Sequence, residues 1–319
     1  MLTPRSVAPI FSIAMMMLGA GLVSGQAYPT KPVRIFTGSA GGSNDAVARL
    51  IASGISGPLG QQVIVENRGS NTISAPIVAQ SPPDGYTLLS AGDLIWLGPL
   101  LRGNPDAIRD FSPISVMASA PNVLVVHPSL PVKSVKELIA LAKASPGELN
   151  YASTATGSGN HLSAELFKSL TGVNMVRIPF KGGTPSLIGV VAGEAHLAFL
   201  GVFLVSPQVK AGRLRALAVT SAQPSALISG LPTLAAAGVP GFELVGIDAM
   251  YAPANTPASI IKRLNQEIVR FLNTTEAKQK YLALGGEVVA SSPEEHQAFL
   301  NSRTSIIGKL IRDAGIKVD

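Results

Sequence analysis

Tyr28-Pro-Thr-Lys-Pro-Val-Arg-Ile-Phe36, then Gly38-Ser-Ala-Gly-Gly-Ser-Asn-Asp45, then Ala46-Val-Ala-Arg-Leu-Ile51 read as a strand, a glycine-rich turn and the start of a helix. A helix that starts this way has first-turn amides with no intrahelical acceptor, and its dipole adds positive partial charge at the same place. Such a turn grips an anion without a cationic side chain. Working outward, the residues before Tyr28 hold one cation, Arg5, an apolar core over 10–23, and small residues at Gly25 and Ala27. That is the pattern of a secretory signal peptide over 1–27, with cleavage expected after Ala27 and a periplasmic destination. The apolar stretch is shorter than the roughly 20 residues a spanning helix needs, and Pro9 interrupts its start. An uncleaved anchor is the alternative.

The chain has no cysteine, which excludes a lipid-attachment site, a disulfide framework and thiolate chemistry. The net charge of +6 includes Arg5, which leaves on cleavage. Lys and Arg are scattered and not interleaved with aromatics, which argues against nucleic-acid binding. The mean hydropathy of +0.35 reflects Ala, Leu, Val and Ile of an ordinary core, since no later window reaches membrane-spanning length without a charge, Gly or Pro. About 290 residues after cleavage predict two lobes or one large domain.

Strand-like runs at 33–36, 62–66, 86–89, 123–126, 174–178 and 214–220 alternate with helix-period stretches at 45–56, 134–144, 161–170 and 259–272. That alternation predicts an α/β fold with parallel sheets covered by helices on both faces. Ser134-Val-Lys-Glu137 reads as a capping box, and Ser292-Pro-Glu-Glu295 combines a cap, a first-turn Pro and an acid. The 24 Pro and 32 Gly are spread between elements as punctuation, with no repeat or low-complexity linker. The β-rich stretches 123–127 and 244–253 would serve as paired crossings between a discontinuous first lobe and a continuous second.

Three loops between a strand and a helix could carry the chemistry: 38–45, 153–161 (Ser153-Thr-Ala-Thr-Gly-Ser-Gly-Asn-His161) and 180–184 (Phe180-Lys-Gly-Gly-Thr184). Facing one cleft, they would bind a carboxylate without an arginine; taken singly, each is also an ordinary βα turn. None has the Gly-Lys-Ser/Thr ending of a P-loop or the spacing of a dinucleotide fingerprint. Asp45 is either the first-turn acid of its helix or a group that fixes the loop and faces the ligand. His161, near Ser158, invites a hydrolase reading, but there is no Gly-x-Ser-x-Gly elbow and no assignable third member; capping or packing is the alternative. The four histidines are far apart without metal-ligand spacing, so neither metal nor cofactor is expected. Trp96 could line an apolar ligand wall or fill the core.

Several further segments carry a resemblance. Tyr28-Pro-Thr-Lys-Pro-Val-Arg34, Gly41-Gly-Ser-Asn-Asp45, Leu59-Gly-Gln-Gln-Val-Ile-Val-Glu-Asn-Arg68 and Pro83-Asp-Gly-Tyr-Thr-Leu-Leu89 come first. Asn150-Tyr-Ala-Ser153, Gly157-Ser-Gly-Asn-His-Leu162, Pro179-Phe-Lys-Gly182, Leu231-Pro-Thr233 and Ala252-Pro253 follow in order. Across nearly the whole mature chain this series resembles the tripartite tricarboxylate transporter substrate-binding family, the Bug or TctC-like receptors. The resemblance implies a type II periplasmic-binding-protein fold, two α/β lobes with mainly parallel sheets and a ligand cleft between them. It implies boundaries at 28–124 and 249–319 for lobe one and 125–248 for lobe two. It also implies a small carboxylate ligand, a membrane permease as partner, and no catalysis. Carried over by position, Ser39, Ala40, Gly41, Gly42 and Asp45 from lobe one, and Ser153, Thr156, Gly157, Ser158, His161, Phe180, Lys181, Gly182 and Gly183 from lobe two, would surround the ligand.

The departures bear on specificity. Ser39-Ala40 replaces a usual Pro-Pro, Gly69-Ser-Asn71 is a shortened glycine-rich segment, and Asp93-Leu-Ile-Trp96 stands where relatives have a small polar stretch. Ile247-Asp248 stands where a Trp often precedes the Ala-Pro crossing. If Asp93 or Asp248 faces the cleft, a simple dicarboxylate meets repulsion, and a ligand with an amine or a single carboxylate fits better; otherwise the two cap helices or sit in solvent. Two other functions are open at this level: a sensor reporting the loaded state to a membrane histidine kinase, and a serine hydrolase built on Ser158 and His161.

Overall fold

The computed structural model describes residues 28–41, 43–68 and 71–316 of the 319-residue chain. The expected signal peptide over 1–27 and the ligand candidate Gly42 lie outside the described residues. The chain runs β1 (Val33–Thr37), α1 (Ser43–Leu59), β2 (Val63–Asn67), α2 (Asn71–Ala79), β3 (Thr87–Gly92), α3 (Leu94–Leu101) and a long strand, β4 (Phe111–Val126). Next come α4 (Val135–Ala144), β5 (Asn150–Ser153), α5 (Gly159–Thr171), β6 (Val176–Pro179), α6 (Gly183–Val191), β7 (Leu197–Gly201), α7 (Val202–Lys210) and β8 (Arg215–Val219). The return is made by β9 (Val245–Pro253), followed by α8 (Ala258–Leu272), α9 (Thr275–Leu284), β10 (Glu287–Val288) and α10 (Pro293–Asp313).

Strand β4 belongs to two lobes. From Phe111 to Pro121 it pairs with β9, and from Asn122 to Val126 with β7 and β8. In lobe one the strand order is β2-β1-β3-β9-β4, with β1 parallel to β2 and β3, and β9 antiparallel to both its neighbours. In lobe two β5 lies parallel to β6 and β7, while β4 runs against β7 and β8. The parallel βα strands expected from the alternation thus form one flank of each sheet, and the crossing strands add antiparallel pairs. At the crossing, the Asn122 amide donates to Thr220 Oγ1 at 2.8 Å and the Leu244 amide to Thr220 O at 3.0 Å.

Helix-period apolar residues explain the layers. Val47, Ile51 and Ile55 of α1 meet Ile261, Leu264 and Ile268 of α8 in one cluster over the lobe-one sheet. The other face carries α3 and α10, whose Trp96, Leu100 and Ile307 join a core continuous with Phe167 and Phe199 of lobe two. Ser292 and Glu295 form the full reciprocal capping box. At the other cap, Ser134 accepts from the Glu137 amide but Glu137 reaches back to the Lys133 amide, one residue earlier than the motif implies.

The opening segment is tied to the turn before β3. Tyr28 Oη donates to Gly85 O at 2.6 Å, the Thr30 amide donates to Tyr86 Oη at 2.8 Å, and the two tyrosine rings meet edge to face. Gly85 has φ +78°, and a Cβ there would stand 2.4 Å from Ile260 Cγ2 and 2.9 Å from Tyr28 Oη. Gly85→Ala is expected to cost about 3 kcal/mol, adding left-handed strain to overpacking, read as a lower urea midpoint at unchanged slope.

Candidate functional site

A cavity of about 510 Å³ lies between the lobes, lined on one side by Asn44, Gly92, Asp93, Trp96, Ile247, Asp248 and Tyr281 and on the other by Gly157, Ser158, Gly159 and Asn160. Asn122, at the crossing, lines its floor. The lobes also touch where Leu101 packs on Gly157 and Phe203 packs on Gly285, so closely that a Cβ on either glycine would stand 2.5 Å from the facing side chain.

On the lobe-two side, Ser158 is the N-cap of α5: its Oγ accepts from the His161 amide and from Thr154 Oγ1. His161, 5% exposed, accepts the Gly157 amide on Nδ1 at 3.1 Å. Burial first, and then Arg177, lower its pKa to about 4, so the ring is neutral at physiological pH and acts as an acceptor that shapes the loop. Asn160 is fixed by donating to Phe199 O at 2.6 Å.

Arg177 of β6 organises the loop from behind. Its guanidinium donates to Ser153 Oγ at 2.7 Å, Thr156 Oγ1 at 3.0 Å and Thr154 O at 2.7 Å. The sequence reading misses it, although an Arg inside a strand-like run that ends beside a hydroxyl-rich loop is a usable signal. Arg177→Met is expected to destabilise the protein by about 2 kcal/mol and to speed amide hydrogen exchange over 154–158 well above the rest of lobe two.

Asp93 and Asp248 apart, the remaining candidates are not among the residues that line this cavity. In lobe one, Asp45 is 5% exposed and clamps its own loop: Oδ2 accepts the Gly41 amide at 2.8 Å, and Oδ1 accepts Asn67 Nδ2 at 3.0 Å and meets Arg49 Nε at 2.9 Å. Burial acts to raise its pKa, but these partners hold it below the usual carboxylate range. Ser39, Ala40 and Gly41 are exposed in that loop, just before Asn44. Ser153 and Thr156 face Arg177. Phe180 turns onto α6, its ring against Gly189; Lys181 is exposed; Gly182, with φ +124°, caps α6 just before Gly183.

Asp93 and Asp248 both line the cavity. Asp93 occupies the N-cap position of α3 without a side-chain cap bond; its Oδ2 accepts the Ile247 amide at 3.3 Å and its Oδ1 is buried with no hydrogen-bond partner. Burial pushes its pKa up to about 7; Asp248 adds to the rise, and the Ile247 amide, the Trp96 indole and Arg303 oppose it. Burial raises Asp248 to about 6. Trp96 is both things the sequence allowed: 4% exposed within the core, and part of the cavity wall.

A profile described as the tripartite tricarboxylate transporter family receptor matches residues 47–316. The chain is 33% identical to the protein BugT of Bordetella pertussis over 306 residues, covering 94% of each. Among solved structures it is similar to Rpa4515 of R. palustris with adipate, at 37% identity and TM-score 0.69 over 91% of this chain and 99% of that one. It is also similar to MatC of Rhodopseudomonas palustris with bound malate, at 26% identity and TM-score 0.65 over 89% and 100%. With two lobes joined by β4 and the return into β9, and a cleft between them, this chain belongs to the tripartite tricarboxylate transporter family of receptors.

Proposed function

We propose that the protein is exported to the periplasm by residues 1–27, captures a small organic carboxylate by closing its lobes, and delivers it to the membrane permease of a tripartite tricarboxylate-type transporter. The observation that carries this reading is the interlobe cavity, whose volume of about 510 Å³ falls in the range of small-molecule sites. Its two walls belong to lobes joined by β4 and the return into β9, the arrangement a hinge closure uses. The adipate and malate held by the two relatives support a small carboxylate-bearing ligand. The first-turn amides of α5, with Ser158 and Asn160, supply donors for a carboxylate group.

Binding without turnover is supported by the engagement of the groups a hydrolase would need. His161 Nδ1 takes the Gly157 amide and Ser158 Oγ takes two donors, which makes the pair a cap for α5. The test is a thermal-shift screen of the mature protein against mono-, di- and tricarboxylates, aromatic acids and amino acids. A ligand at 100 times its Kd adds about 2.7 kcal/mol of stability. Silence across the library from a folded, ligand-free protein would overturn the reading. Undiminished uptake of the identified ligand after deletion of the gene would remove the delivery step.

A further inference from the structure

Two carboxyl groups line this cleft, and among the described residues no cation lines it with them. Asp93 Oδ1 is buried with no hydrogen-bond partner, and Asp248 lines the same cavity close enough for its charge to act on Asp93. The hydroxyl of Tyr281 is buried without a partner on the same wall. Among the described residues, no Lys, Arg or His lines the cavity. The cation that acts on Asp93, Arg303, is committed to Glu243, bonding both its backbone carbonyl and its carboxylate. The opposite wall has the reverse character. It is the start of a 13-residue helix, where the amides of Gly159 and Asn160 precede the first intrahelical bond and the Ser158 hydroxyl retains a proton to donate.

We propose that the ligand is an amino carboxylate, its ammonium group seated between Asp93 and Asp248 and its carboxylate at the start of α5. The inference rests on the solute-binding reading above and narrows it. An ammonium group has three donors and no acceptor, matching Asp93 Oδ1, the Asp248 carboxylate and the Tyr281 hydroxyl, all on one wall. A dicarboxylate of the same length would set a second anion against two carboxyls already removed from water, where like charges repel most strongly. A plain monocarboxylate would leave both aspartates unpaired inside the closed cleft. The raised pKa values of the two aspartates are what such a site shows while it waits for its counter-charge.

Titration calorimetry of the mature protein against length-matched sets tests this. Each set contains the ω-amino acid, from glycine to aminocaproate, the α-amino acid, the dicarboxylate and the plain monocarboxylate with the same number of carbons. An amino carboxylate is expected to bind about tenfold or more tighter than the dicarboxylate and monocarboxylate of its set, and Asp93→Asn and Asp248→Asn are each expected to shrink that ratio to below about threefold. A dicarboxylate that binds as tightly as its amine counterpart, with affinity rising as the pH is lowered, would mean that the aspartates serve as protonated donors; it would overturn this inference and leave the solute-binding reading in place. A preference for the amine that survives both variants would also overturn it. If no member of any set binds, this inference falls, and the wider screen above decides the solute-binding reading.

Discussion

Asp93→Asn is expected to stabilise the ligand-free protein by about 2 kcal/mol at pH 8 and to change its stability very little at pH 4. The Asp93 carboxyl keeps its proton up to about pH 7 in the folded protein, against 3.8 ordinarily. Between those two values the folded state binds more protons than the unfolded one, so stability falls as the pH rises, and the whole penalty is present above pH 7. The full shift corresponds to about 4 kcal/mol; about half of it should survive relaxation around the charged form. The groups facing Asp93 fix the sign: Asp248 on β9 raises its pKa, while the Ile247 amide on β9, Trp96 on α3 and Arg303 on α10 lower it, and the neutral Tyr251 hydroxyl on β9 adds no charge. Asparagine keeps the oxygen that the Ile247 amide needs and discards only the charge. Thermal melts at pH 4, 6 and 8 read the effect as a gain of roughly 4–8 °C at pH 8 that fades toward pH 4. A shift of equal size at every pH would show that the carboxyl is not desolvated. The histidines act in the opposite sense. Burial lowers His296 to about 3 and, with Arg177, His161 to about 4, so protonating them in the unfolded chain below about pH 6.5 erodes stability from the acid side.

The second large effect belongs to Arg303→Met, expected to cost about 3 kcal/mol and lower Tm by roughly 6–12 °C. Arg303 is 3% exposed, on α10, and bonds the Glu243 carbonyl and carboxylate just before β9 begins. It therefore fastens the C-terminal helix to the point where the chain returns from lobe two. Glu243 is half-exposed and regains water when the arginine is removed, which keeps the cost below that of a fully buried pair. Its carbonyl loses a donor, and Asp93 loses the cation that opposes its burial, so the pH dependence described for Asp93 should steepen in the variant. Arg303→Lys is expected to recover less than half of the loss, because one ammonium group cannot fork to both acceptors. Equal stability of Met and Lys variants to the parent would place the tether elsewhere.

The strands and helices that announce themselves by period were legible in the sequence: β1 with α1, α4, α5 and α8 all fall within a few residues of their apolar patterns. Strand β4 was legible only in its last quarter. Val123 to Val126 is a continuous apolar run, whereas the earlier part contains Pro113 and Pro121, serines, and two places where the register with β9 shifts, so no two-residue alternation survives to be read. Strands β5 and β7 are short pieces whose identity comes from their neighbours in the sheet. In the cleft, loop chemistry pointed to Gly157 and Ser158, and the odd acids Asp93 and Asp248 were visible as departures from the family pattern. Arg177 and Tyr281 were not visible, because each reaches the site or its support through a fold contact between segments distant in sequence, while Asn160 stood in the candidate loop 153–161 without being singled out. Asp45 shows the converse: its position at the start of α1 was plain, but only the geometry reveals how many partners it holds.

Strand β9 lies between β3 and β4, so the middle of the lobe-one sheet is supplied by residues that leave the ribosome after all of lobe two. The β3 edge of the N-terminal strands stays unpaired while about 150 intervening residues are made, whereas the strands of lobe two are nearly contiguous in sequence. Pairing of Asp248 with Gly92 is part of that last insertion. The protein thus brings its two acidic cleft residues together only when the final quarter of the chain has arrived.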